Sequence, residues 1–227
     1  MAQPARQNSA EAIAASLAHA IHEHRLTPGS KLSEDEVGEV FGVSRTVVRA
    51  ALQRLGHSRL VEIRRNHGAF VAQPSIREAQ EVFEARLLLE PRTSRAAASR
   101  ISPSQIEHLR QHIRQEHEAL EAGRSGQALH LSGQFHVEIA RIADQDTITE
   151  FISQLVARSS LVIALYWQRR AALCESHAHA ALIDALATGN EDKADELMKE
   201  HLISLMTSLD LRNRDSAPAS LREALRS

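Results

Sequence analysis

Val43-Ser44-Arg45-Thr46-Val47-Val48-Arg49-Ala50-Ala51-Leu52-Gln53-Arg54-Leu55 decides the fold of the first third of this chain. Its apolar residues recur at helical spacing: Val48, Ala51, Leu52 and Leu55 share one stripe, while Arg45, Thr46 and Arg49 fall largely outside it. Ser44 stands where a cap is wanted, so the pattern predicts a helix running to about Gly56 with a basic, hydroxyl-bearing N-terminal end. Positive charge is concentrated around this segment. Between Arg45 and Arg65 stand six arginines (45, 49, 54, 59, 64 and 65) against the single acid Glu62, a local +5 in a chain of net charge -2.

Long guanidinium forks suit guanine edges and phosphates, and hydroxyls at a helix N-terminus suit phosphate oxygens. Ser44, Arg45, Thr46 and Arg49 are therefore candidate DNA contacts, with Arg45 and Arg49 four apart on one face. Charge alone fits a merely solvated helix surface equally well. The flanking segments weigh against that. Upstream, residues 10 to 25 read as an amphipathic helix carrying Ile13, Leu17, Ala20 and Ile21, ended by Thr27-Pro28-Gly29. Ser33 and Glu36 have capping-box spacing for a second helix expected to bury Val37, Val40 and Phe41 and to stop at Gly42. Downstream, Leu60 to Arg64 and Ala69 to Ala72 read as a hairpin turned by Asn66-His67-Gly68. It would carry Arg64, Arg65, His67 and Gly68 toward a neighbouring phosphate strand or the minor groove.

These residues resemble the winged helix-turn-helix domain of the GntR family of bacterial regulators. The resemblance rests on Leu26-Thr27-Pro28-Gly29-Ser30-Lys31-Leu32, on Ser44-Arg45-Thr46-Val47-Val48-Arg49-Ala50-Ala51-Leu52 and on Asn66-His67-Gly68-Ala69-Phe70-Val71. It implies that Arg45, Thr46, Arg49 and the wing at His67-Gly68 contact operator DNA. Val47, Ala50 and Arg59 depart from the family's usual proline, glutamate and glycine. Asp35 stands where some members place a basic phosphate contact, so that contact is not carried over.

Beyond Gln73-Pro74-Ser75, which reads as a linker, no strand pattern appears. Helical stretches at about 76–100, 104–121, 127–143, 147–171, 175–187 and 191–210 alternate with breakers, among them Ser102-Pro103, the Gly123 and Gly126 pair expected to bracket a loop, and Gly189-Asn190. The expected architecture is mainly α: a winged helix-turn-helix over residues 1–72, a linker at 73–77, an all-α antiparallel bundle over 78–212 and a flexible tail at 213–227.

The second half resembles the FCD effector domain of the FadR-type branch of the same family. Arg86-Leu87-Leu88-Leu89-Glu90-Pro91, Phe135-His136, His179 and His201 carry the likeness. It implies a site in which His136, His179 and His201 hold a divalent metal such as zinc or nickel, with Ser132 at the usual aspartate position one turn before His136, a substitution that weakens the site. The alternative is that the three histidines hydrogen-bond an effector directly. Arg86 is the candidate clamp for an anionic effector, or else the partner of Glu90 four residues on. His108 and His112 are expected on a solvated face, and Cys174, Trp167 and Tyr166 in packing or pocket lining.

The resemblance implies a homodimer that reads an inverted repeat in double-stranded operator DNA and responds to a small anionic metabolite, most simply as a repressor released by it. A metal-dependent hydrolase or lyase built on His136, His179 and His201 is the alternative from another class, and a helical protein-docking module a third. No Gly-x-Ser-x-Gly motif and no base at a recognisable spacing supports the enzyme. Lone Cys174, the short apolar runs and an N-terminus without a secretory pattern point to a cytoplasmic protein with no membrane partner.

Overall fold

The computed structural model describes residues 9–167 and 175–212. Cys174 and the segment 213–227 expected as a tail lie outside the described residues. The order of elements is α1 (Ala10–His22), β1 (Lys31–Leu32), α2 (Glu34–Phe41), α3 (Arg45–His57), β2 (Val61–Arg64), β3 (Gly68–Val71), then α4 (Ile76–Ala98), α5 (Pro103–Glu121), α6 (Ser125–Ile142), α7 (Asp146–Tyr166), α8 (Glu175–Ala187) and α9 (Glu191–Thr207).

The first three helices and a three-stranded sheet form a winged helix-turn-helix. Gly42, at φ +64°, takes the left-handed conformation that ends α2 and turns the chain into α3. The stripe Val48, Ala51, Leu52 and Leu55 is buried as its spacing predicts, together with Ile13, Leu17 and Ile21 of α1. Two local expectations are corrected. Val40 is 77% exposed, because only Val37 and the half-buried Phe41 of α2 face the core. Ser44 occupies the N-cap of α3 without making a side-chain cap bond, and Ser33 accepts from the Glu36 N–H without the reciprocal half of the box. The hairpin is joined by a short strand that its length hid: β1 pairs antiparallel with β3, Lys31 opposite Phe70 and Leu32 opposite Ala69, in the order β1-β3-β2.

Helices α4 to α9 form the bundle, α4 lying against α9 and α7, and α5 against α6 and α8. Ser75 and Ser102 each close a full capping box, with Glu78 and Gln105, so α4 and α5 start sharply. Helix α7 is long and apolar enough to cross a bilayer by length and composition alone. Its Ile152, Val156, Leu161 and Val162 are buried instead against neighbouring helices and the winged unit.

The two units meet along a tight seam. Leu161 of α7 is fully buried in the winged unit's own apolar cluster. Tyr166 donates its hydroxyl proton to the Pro74 carbonyl at 2.8 Å, and His24 donates from Nε2 to the Ser160 carbonyl at 3.1 Å. Gly126 was expected in a loop; it lies in the first turn of α6, and a Cβ there would fall 1.9 Å from the Glu23 carbonyl oxygen. Only a bare backbone admits that approach of α1.

Candidate functional site

Two regions carry the candidate residues: the outer face of α3 with the wing, and a cleft in the bundle that reaches the seam. On the first, Arg45, Thr46, Arg49, Arg64, Arg65, His67 and Gly68 are all exposed, and so is Ser44. The α3 arginines are held by acids of α2. Arg45 Nε lies 2.6 Å from Asp35 Oδ1, and Arg49 Nε donates to both Glu34 oxygens at 2.8 and 2.9 Å. Asp35, which stands where some members place a basic phosphate contact, is thus a partner of a base-reading candidate. Arg64 donates to Glu62 and lies over the Phe70 ring at 4.7 Å from its centroid, which stiffens the wing. Asn66 and Gly68, at φ +64° and +95°, form the wing's tip.

In the bundle, α4, α6, α8 and α9 bring Arg86, His136, His179 and His201 together, all buried. The ligand atoms of the three histidines lie within 4.8 Å of one another. His136 Nε2 and His201 Nε2 stand 3.3 Å apart. Two imidazole nitrogens about 2.0–2.1 Å from one tetrahedral zinc would stand about 3.3–3.4 Å apart, so this pair already has the spacing of shared ligands.

Carboxylates behind the rings set their tautomers. His136 donates from Nδ1 to Glu90 Oε2 at 2.6 Å, and His179 Nδ1 shares a proton with Glu116 Oε2 at 3.1 Å. Each leaves the other ring nitrogen as the ligand atom, the carboxylate-histidine arrangement that orients metal-binding imidazoles. Burial alone would raise the Glu90 carboxyl, but Arg86 and His136 beside it hold it down to about 2. Burial lowers His136 to about 4, and it pushes His201 well below its usual value with help from the neighbouring rings. Both rings are therefore neutral near pH 7, as ligation requires. Glu116, with less positive charge near it, is pushed by burial up to about 7. The donor set fits a borderline divalent ion such as zinc or nickel, although among the described residues no carboxylate joins the three rings as a further ligand.

Arg86 is more committed than a free clamp. It donates to Glu90 through Nε at 2.5 Å and Nη2 at 3.3 Å, and to Ser159 Oγ through Nη1 at 3.0 Å. The structural pair with Glu90 is therefore formed, and of the five N–H groups of a guanidinium the remaining two, on Nη1 and Nη2, are left for a ligand. Both Glu90 and Glu116 escaped the sequence reading as parts of the histidine site. Helical spacing from Arg86 pointed to the first only as an ion-pair partner, and nothing in the sequence distinguished the second from other acids of α5. His112 also departs from expectation: it is half-buried and donates from Nε2 to the Leu131 carbonyl at 2.8 Å, because α6 covers that side of α5. His108 is exposed as expected, and so is His177, two residues before His179.

A cleft opens from His136, Arg86 and Ser132 past Ser159, Ser160, Gln134 and His130 to His22 at the end of α1 and His24 in the turn beyond it. Its interior measures about 80 Å³. That is room for a compact ligand only. Among the described residues, no Asp or Glu lines it.

Comparison with known proteins agrees with this division. Residues 9–71 match the family described as bacterial regulatory proteins, gntR family, and residues 81–204 match the FCD domain. The HTH-type transcriptional repressor RspR of Escherichia coli is 27% identical over 208 residues, 91% of this chain and 90% of its own length. The Nta operon transcriptional regulator of Aminobacter aminovorans is 25% identical over 179 residues, 79% of this chain and 84% of its own. Among solved structures, a GntR transcriptional regulator from Rhodococcus sp. RHA1 superposes with a TM-score of 0.75 at 25% identity, covering 86% of this chain and 94% of that one. E. coli McbR/YncC shares the fold, with a TM-score of 0.77 at 22% identity over 91% of this chain and 98% of that one.

Proposed function

Because the chain belongs to the GntR family of bacterial transcription regulators and carries an FCD domain, we propose that it is a cytoplasmic repressor released when a small carboxylate enters the bundle cleft. The chain is a DNA-binding regulator and not an enzyme, as are the relatives named above, and the hydrolase or lyase alternative falls away. Chemistry argues the same way: Glu90, the carboxylate nearest His136, is ionised and already engaged by Arg86 and that ring, so it is not a free base.

In the proposed mode, two copies read an inverted repeat, each through Ser44, Arg45, Thr46 and Arg49 of α3 in the major groove and Arg64, Arg65, His67 and Gly68 of the wing on the adjoining backbone. Residues 1–72 serve as the DNA-binding unit and 78–212 as the effector unit, and of the linker expected over 73–77 only 73–75 precede α4, which already takes in Ile76 and Arg77. His136, His179 and His201 would hold a zinc or nickel ion, with Ser132 standing where a carboxylate ligand would otherwise be expected. A bound metal would supply positive charge for a carboxylate, and Arg86 the two remaining N–H donors. The observation that carries this reading is the 3.3 Å approach of two buried, neutral ring nitrogens, of which the His136 ring lines a cleft with no Asp or Glu among its described lining residues.

Elemental analysis of protein purified without chelator tests it. About one zinc or nickel per chain is expected, lost in a His136→Ala, His179→Ala, His201→Ala variant. Absence of metal together with an unchanged ligand response in that variant would remove the site. Binding to its own promoter should weaken steeply with salt.

A further inference from the structure

The cleft is not confined to the bundle. Its outer wall is the end of α1: His22 and His24 of the DNA-binding unit line it together with His130, Gln134 and Ser160. The rings of His22 and His130 stack at 5.5 Å between centroids. His24 spends its Nε2 proton on the Ser160 carbonyl, while the buried Ser160 hydroxyl has no hydrogen-bond partner. A buried hydroxyl without a partner is costly, and Ser160 is a lining residue of the cleft, so a turn of its side chain would offer that hydroxyl to a ligand. Gln134, Ser160 and the imidazoles offer N–H and O–H donors, and among the described residues no Asp or Glu lines the cleft. Such a surface favours a ligand with acceptor oxygens at both ends.

We propose that His22, Gln134, His130 and Ser160 form a second anion subsite at the domain seam, which binds the outer carboxylate of a short dicarboxylic acid whose inner carboxylate sits at the Arg86 and His136 end. This rests on the carboxylate reading given above and adds the partner for the far end. The small interior limits the acid to a compact chain. Its consequence is mechanical. A ligand spanning the cleft touches α1 itself, so occupancy fixes the winged unit against α6 and α7 without a relay through the bundle.

Isothermal titration of the full-length protein, with zinc added, with succinate and butyrate separates the two ends, since both acids have four carbons and only one has a second carboxylate. Succinate is expected to bind the wild type at least about tenfold more tightly, the worth of one charge-assisted hydrogen-bond set. Ser160→Ala, which removes only one unpartnered hydroxyl, and His22→Gln should each shrink that preference, and His130→Ala with Ser160→Ala should nearly abolish it, leaving butyrate affinity unchanged. Equal affinity of the two acids for the wild type, or a preference untouched in all these variants, overturns the second subsite while leaving the inner one standing. Loss of both acids in His136→Ala locates the inner end. Binding of neither acid to the wild type, or binding of both unaffected by His136→Ala, overturns the inner site and the second subsite with it.

Discussion

Arg49 of α3 grips Glu34 of α2 with its Nε at 2.8 and 2.9 Å from the two carboxylate oxygens, so a principal candidate for base reading is already engaged before DNA arrives. Arg45 is held likewise by Asp35. Exposed pairs of this kind contribute about 0–1 kcal/mol, far less than a bidentate contact to guanine, and DNA can displace the acids. Glu34→Gln and Asp35→Asn should therefore tighten operator binding, by roughly three- to tenfold each at low salt, through freed arginines and reduced repulsion of phosphate. Fluorescence anisotropy at two salt concentrations checks this, and the gain should shrink at the higher one.

Arg45→Ala and Arg49→Ala should each cost about 1–3 kcal/mol of operator affinity if they meet base edges. Unchanged binding in both variants would exclude α3 as the reading helix.

Glu116 steadies His179 from behind, so Glu116→Ala should lower zinc affinity by about 10–100-fold, measured by competition with a chromogenic chelator. Glu116→Gln retains an oxygen that can accept from His179 Nδ1 and should lose much less. Equal losses would mean that charge, and not ring orientation, is what Glu116 contributes.

Burial, with His130, His19 and His24 nearby, lowers His22 to about 4 from an ordinary 6.5. The unfolded chain therefore takes up a proton at His22 as pH falls below about 6.5, while the folded chain resists it until about 4. Stability from this residue is intact above 6.5 and is lost on the way down to 4. At about 1.4 kcal/mol per pH unit the loss is between about 1 and 3 kcal/mol, since the ring is only partly buried. Glu116, raised to about 7, works in the opposite direction, its stabilisation being lost as pH rises from about 4.5 to 7. Denaturant melts of wild type and His22→Gln at pH 7 and pH 5 should show a smaller acid loss in the variant.

The winged unit was legible because its signals are local. Gly42, Pro28-Gly29 and the Val48 to Leu55 stripe each act within one or two turns, and each reappears in the structure. The histidines were legible through family likeness, and their convergence is seen only in three dimensions. Glu116, 63 residues from His179, carries no mark in the sequence that distinguishes it from solvated acids of α5. The pairs between α2 and α3 were hidden for a similar reason: they depend on how two helices cross. Gly126 misled because glycine near the start of a helix reads as a breaker, whereas here it answers the close passage of Glu23.

That passage bears on how regulators of this build can be recombined. Grafting this DNA reader onto another sensor unit by cutting at the linker alone would bring the α1 end against whatever residue the new sensor carries at position 126. Anything larger than glycine would strike the Glu23 carbonyl and prise the halves apart. A working chimera has to import the glycine along with the reader, so the true unit of exchange extends a full turn into α6.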